Sequence, residues 1–167
     1  LQGKVIDWPK STTTTNETVK EKIDQLRHVD PSFSDHHFLK GAKTAFEMIV
    51  SAFATGDLAQ LKSLLTKDLF DDFKKAIEER EGQGHRQETK VESLKEIKIA
   101  DAYYKSPYCF VTVRFQSEQL NVVYDKDNKA VEGDPDHYVV LEEDWTFRRN
   151  PKAENPNWVL VETHEVS

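Results

Sequence analysis

The chain carries a single cysteine, Cys109, among 167 residues, so no internal disulfide can staple it. No apolar run approaches the roughly 18 residues that a membrane-spanning helix needs. Basic charge is also short: 23 Lys and Arg face 30 Asp and Glu, a net charge of -7 with a pI near 5.4. That balance weighs against a general nucleic-acid binder, which favours a basic face, although a local basic patch is still compatible with it. There is no GxxxxGK[ST] loop; the EGQGH stretch follows a helical segment instead of opening one after a strand. The histidines do not gather. His36 and His37 are adjacent, so on a helix they point about 100° apart, and His28, His85, His137 and His164 are scattered. No serine has a readable partnership with a histidine and an acid. Cys109, inside YCFVTVRF, reads as buried filler. What is present is 37% hydrophobic and 32% charged residues, enough for one domain with a short appendage.

The appendage comes first. Residues 1–17 read as a linker or the remnant of a longer N-terminal region, since LQGKVIDWPK lacks a signal-peptide profile and PKSTTTTNET is polar and threonine-rich. Residues 18–30 predict a short amphipathic helix with Val19, Ile23 and Leu26 on one side, stopped at Asp30-Pro31. Three anchors over so few turns make a marginal helix, which must dock on the body or on another molecule. The body spans 31–167. Its main helix is FLKGAKTAFEMIVSAF, capped by Ser34 and closed at Gly56, with Phe38, Leu39, Phe46, Ile49, Val50 and Phe53 as large apolar positions. Asp57 caps a second helix, and Thr66 or Asp68 opens a third, LFDDFKKAIEERE. His85 to Thr89 read as a connector.

From Val91 the apolar period becomes strand-like. Cys109, Val111, Val113 and Phe115 share one face, whereas Leu120, Val122 and Tyr124 have the opposite parity, so a bulge or bend is expected near Gln116 to Gln119. Leu94 and Ile97 show the same fault. Residues 125 to 136 read as loop. YVVLEEDWTF and WVLVET complete about four antiparallel strands. Helices first and strands after, with two parity faults, predict an α+β fold in which three helices pack on a strongly curved sheet. By analogy this is the cone of the nuclear-transport-factor-2 and cystatin-like group, preceded here by the short helix.

One polar residue stands out. Glu143 shares a strand face with Leu141 and Trp145, beneath the helices, where an unpaired polar group costs on the order of 2–7 kcal/mol. It is the one candidate for acid–base chemistry of the small isomerase or dehydratase type; a place near the open rim, or one displaced by a bulge, is the plainer alternative. Tyr103, Tyr104 and Tyr108 either contact a ligand or close a strand hairpin. The acidic stretch from Glu118 to Asp144 reads either as attraction for basic segments or as a solvated face, and Lys74, Lys75 and Arg80 offer a modest basic patch toward anionic lipid that the interleaved Asp71, Asp72, Glu78, Glu79 and Glu81 weaken.

DPSFSDHHFLKGAKTAFEMIVSAFATGDLAQLKSLLTKDLFDDFKKAIEER, followed by VRFQSEQLNVV, VEGDPD, EEDWTFRRN and NPNWVLVET, resembles the Tim44-like domain over roughly Asp30 to Thr163. The wording is most similar to bacterial members from alphaproteobacteria. The resemblance implies a non-enzymatic adaptor or scaffold in protein translocation or inner-membrane assembly, without cofactor or metal. It implies protein partners at a membrane, with cardiolipin as a possible anionic lipid and no nucleic acid. It also implies a place at the bacterial inner membrane through an N-terminal anchor, with the domain in the cytoplasm, or at the matrix side of the inner membrane in a mitochondrion. A ribosome–membrane tether is the alternative within the same resemblance. The long charged chaperone-recruiting region of the mitochondrial protein has no counterpart in this sequence. Carried across, Val19, Ile23 and Leu26 would contact membrane or partner, and Phe38, Phe46, Phe53, Trp145 and Trp158 would line or close an apolar cavity.

Overall fold

The computed structural model describes residues 18–166; the expected linker at 1–17 lies outside them. Four helices precede five strands. The helices are α1 (Val19–Val29), α2 (Asp35–Thr55), α3 (Leu58–Leu64) and α4 (Lys67–Gly82). The strands are β1 (Arg86–Lys105), β2 (Tyr108–Tyr124), β3 (Ala130–Glu132), β4 (Val139–Arg149) and β5 (Val159–Glu165). Side-chain caps set three of the helix starts: Thr18, Ser34 and Asp57 accept from the backbone N–H of Glu21, His37 and Gln60. Gly56, at φ 77°, ends α2 in the left-handed conformation that a side chain disfavours.

The sheet is antiparallel in the order β1-β2-β4-β5, with β3 paired to the far end of β2. Two expectations need correction. The residues after His85 are not a connector, because β1 already begins at Arg86 opposite Tyr124. The segment 125–136 is not all loop, because Ala130–Glu132 add a short fifth strand.

The bend lies where expected, but its extra residues are on the neighbouring strand. The register between β2 and β4 runs unbroken from Cys109 to Gln119. Opposite Gln116 to Gln119, β1 shifts register between Val91 and Ser93 and between Leu94 and Glu96, and again between Ile99 and Asp101. Each shift inserts a residue into β1 alone, which lengthens its path and curls the sheet. The result is an α+β cone, four helices against a strongly curved antiparallel sheet.

Helix α2 fills the concave face. Phe46 stacks on Phe115 at 4.5 Å between ring centroids and lies 4.7 Å from Trp145; all three are fully buried. Truncating Phe46 would leave a ring-sized cavity that rigid flanking strands cannot close. Phe46→Ala is expected to cost about 3–5 kcal/mol, read as a lowered urea midpoint with an unchanged slope.

Candidate functional site

The Phe46–Phe115–Trp145 stack closes the middle of the cone and leaves a recess toward each end of α2. Phe38 in the first turns and Phe53 in the last are about 22 Å apart along the helix. Each borders a different recess.

The first recess is an aromatic groove of about 860 Å³. Phe38 packs against Trp158 at 4.7 Å, Phe33 at 5.5 Å and Phe147 at 5.9 Å. Gly41, Ala45 and Met48 continue the lining along α2 at helical spacing, and Met48 is exposed. The turn between α1 and α2 is tied down beside it. Arg149 on β4 donates to Asp30 at 2.6 Å, and its guanidinium lies over the Trp158 ring at 5.4 Å. Asp30 is buried, so this ion pair holds the rim in place; deleting either partner would strand a charge.

The second recess, about 390 Å³, is polar. Past Phe115 the inward positions of β2 become Ser117, Gln119 and Asn121, and those of β1 opposite are Gln87 and Thr89. They form one directed chain. Arg80 Nη1 donates to Gln87 Oε1, Gln87 Nε2 to Thr89 Oγ1, and Thr89 Oγ1 to Asn121 Oδ1. Asn121 Nδ2 then donates to Gln119 Oε1, and Gln119 Nε2 to Ser117 Oγ. Arg80 Nη2 donates to the carbonyls of Phe53 and Ala54 at the end of α2. Burial holds the Arg80 pKa below its ordinary value, with the neighbouring Glu81 carboxylate opposing that shift.

The anticipated cavity residues therefore separate into three groups. Phe38 and Trp158 line the groove, Phe53 borders the polar recess, and Phe46 and Trp145 belong to the solid core between them. Val19, Ile23 and Leu26 do not form an exposed edge. Leu26 is 1% exposed and Ile23 7%; they join the core where α1 packs on β1, and Lys22 fixes the helix to Asp101 at 2.9 Å. Glu143 is buried opposite Phe115 in the register and borders neither recess. Arg80 turns inward, which removes it from the basic patch expected on the third helix of the body. The tyrosines serve the β1–β2 hairpin: Tyr103 stacks on Phe110 at 4.9 Å, and Arg148 covers Tyr108 at 4.1 Å. Among the described residues, no group of three His, Cys, Asp or Glu could hold a metal ion.

Sequence reasoning missed Phe33, Gly41, Met48 and Arg149 of the groove. It also missed the polar recess altogether. The available signal was the parity of Ser117, Gln119 and Asn121 with Phe115, which a bulge in β2 seemed to remove.

Helices packed on the concave face of a curved antiparallel sheet, with an open aromatic groove beside α2, define an α+β cone. The chain belongs to the Tim44-like domain family, whose profile matches residues 19–165. An uncharacterised protein of Rickettsia prowazekii is 29% identical over 148 residues, covering 89% of this chain and 60% of the relative. The probable mitochondrial import inner membrane translocase subunit tin-44 of Caenorhabditis elegans is 23% identical, covering 87% of this chain and 35% of the relative. Human mitochondrial import inner membrane translocase subunit TIM44 is 22% identical over 86% of this chain and 32% of its own length. The chain thus spans less than two thirds of each of these relatives. Among solved structures, the intermembrane space region of chloroplast protein ARC6 matches with a TM-score of 0.53 at 9% identity, over 77% of this chain and 95% of that one. That likeness concerns the fold alone.

The environment of Cys109 generates a chemical prediction. The thiol is buried and its pKa is pushed up to about 11, chiefly by burial and secondarily by Asp30, against a smaller lowering by Arg149. The thiolate is the reactive form. The folded protein at pH 8 is expected to react with a disulfide reagent at least a hundredfold more slowly than the urea-unfolded chain, followed by absorbance; comparable rates would contradict the placement.

Proposed function

We propose that this domain is a non-enzymatic adaptor at the inner membrane, in protein translocation or membrane-protein assembly, and that the aromatic groove seats an apolar segment of a membrane component. The observation that carries this reading is the groove itself: open, aromatic-walled and rimmed by a buried ion pair. Its volume lies within the range of about 300–1,000 Å³ typical of ligand sites. The translocase names of the animal relatives support the setting. No helix among the described residues is long and apolar enough to cross a membrane, so the domain would act from the membrane surface. We place it on the cytoplasmic face in a bacterium, or on the matrix face in a mitochondrion.

The enzyme alternative draws no support from Glu143, which borders neither recess and has Phe115 as its cross-strand neighbour. The ribosome tether has no specific observation in its favour.

Val19, Ile23 and Leu26 can add to the binding surface only after α1 leaves β1. On this reading amide exchange over residues 19–29 is markedly faster than across β2; equal protection, measured by mass spectrometry, would make α1 a fixed part of the body.

Gly41 provides a clean block, because a Cβ there meets nothing within 4 Å. Replacing a helical glycine also favours the helix by roughly 0.5–1 kcal/mol, so Gly41→Leu should fold at least as well as the parent. The variant is expected to lose at least fivefold in partner recovery by crosslinking in native membranes, or in flotation with cardiolipin-containing vesicles. Loss in the first assay assigns the groove to a protein segment, and loss in the second to an acyl chain. Full retention in both would overturn the reading.

A further inference from the structure

The polar recess has no part in that adaptor role, and its chemistry is specific enough to be read separately. Its floor is donor-rich. A carboxamide has two N–H donors and a guanidinium five. Gln87, Gln119 and Asn121 each use one N–H within the chain, which leaves each a second. Arg80 uses one N–H on Nη1 and two on Nη2, which leaves Nε–H and the other Nη1–H. All the hydrogen-bond partners of Arg80 are neutral oxygens, and the neighbouring Glu81 carboxylate acts on it through space without a hydrogen bond.

The rim has the opposite sign. Glu79 on α4 and Glu132 on β3 border the same recess, both are exposed, and neither is in an ion pair among the described residues. Phe53, Ala76 and Val123 supply an apolar wall between floor and rim.

The walls are built, not incidental. Gly133 follows β3 with φ 77°, and a Cβ there would lie 2.0 Å from the Asn121 carbonyl oxygen. Glycine alone lets that loop lie directly on β2 and close the side of the recess. The directed hydrogen-bond chain locks the floor amides with their spare donors in place before any ligand arrives.

From this we infer that the recess is a second, separate ligand site, for a small zwitterion of the α-amino-acid type. Its carboxylate would lie on Arg80 and the floor amides, its ammonium would face Glu79 and Glu132, and its side chain would rest on the Phe53 wall. A simple anion matches the floor but meets two carboxylates at the rim; a simple cation has the reverse conflict with Arg80. Only a ligand carrying both charges satisfies both ends.

The test uses the twenty proteinogenic L-amino acids, with their carboxamides and N-acetyl derivatives as controls that remove one charge each. Each is added at about 10 mM, enough to saturate a millimolar site. At least one amino acid is expected to raise the unfolding midpoint and to give a calorimetric binding curve, with its two derivatives weakened tenfold or more. Arg80 also holds the end of α2, so its replacement risks the fold; the decisive variants are Glu79→Gln and Glu132→Gln, both on exposed positions. Each is expected to leave the midpoint of the free protein unchanged and to weaken binding at least threefold, and the double variant at least tenfold. The inference fails if no amino acid shifts the midpoint, if the blocked derivatives bind as well as the parent compound, or if the double variant binds with undiminished affinity.

Discussion

The contact on which the rest of the structure depends is the packing of Phe46 against Phe115 and Trp145, whose own rings meet edge-on at 5.5 Å. It fastens the 21-residue α2 across the hollow of the sheet, and it does so in the middle of the helix. Because the three rings are wholly buried, the interior of the cone is solid there, and the aromatic groove and the polar recess lie toward opposite ends of α2. A long helix over a curved sheet cannot stay in contact along its whole length. The register shifts in β1 supply the curl of the sheet beneath it.

The two resulting recesses differ because the inward residues differ. Toward the start of α2 the sheet presents Phe147 and Trp158, and the helix answers with Phe38, Ala42 and Ala45. Toward its end the sheet presents amides and a hydroxyl, and α4 contributes Arg80. The first surface gains by leaving water and suits an apolar guest. The second is internally hydrogen-bonded, which removes most of the cost of burying polar groups there while each amide keeps a second N–H donor. One scaffold thus holds two chemically unlike openings, a common outcome when function resides in grafted sites and not in the fold.

Much of this organisation was legible in the residues. The apolar stripe of α2, its Ser34 cap and its Gly56 terminus follow from helical spacing and local hydrogen bonding, and so the helix boundaries agree with the structure. The strand alternation in CFVTVRF likewise led to the right faces for Val111, Val113 and Phe115. Position within the cavity was not legible. Periodicity says that Phe46 and Phe38 face the sheet, but not that one meets two opposing rings while the other meets an opening. Ser117, Gln119 and Asn121 misled for a physical reason: polar residues at inward positions resemble a change of register unless their mutual hydrogen bonds are known. The apolar side of α1 could satisfy itself on the body or elsewhere, and the curl of β1 provides the nearer surface.

On the proposed reading, the opening beside Phe38 and Trp158, and not the closed middle of the cone, seats a membrane component. Site-specific photo-crosslinking in the intact protein tests it most directly, with the probe at Met48 on the groove or at Lys75 on the exposed side of α4. The account predicts a discrete adduct in native membranes from Met48 and none from Lys75. Adducts of equal yield from both positions, or from Lys75 alone, would contradict it.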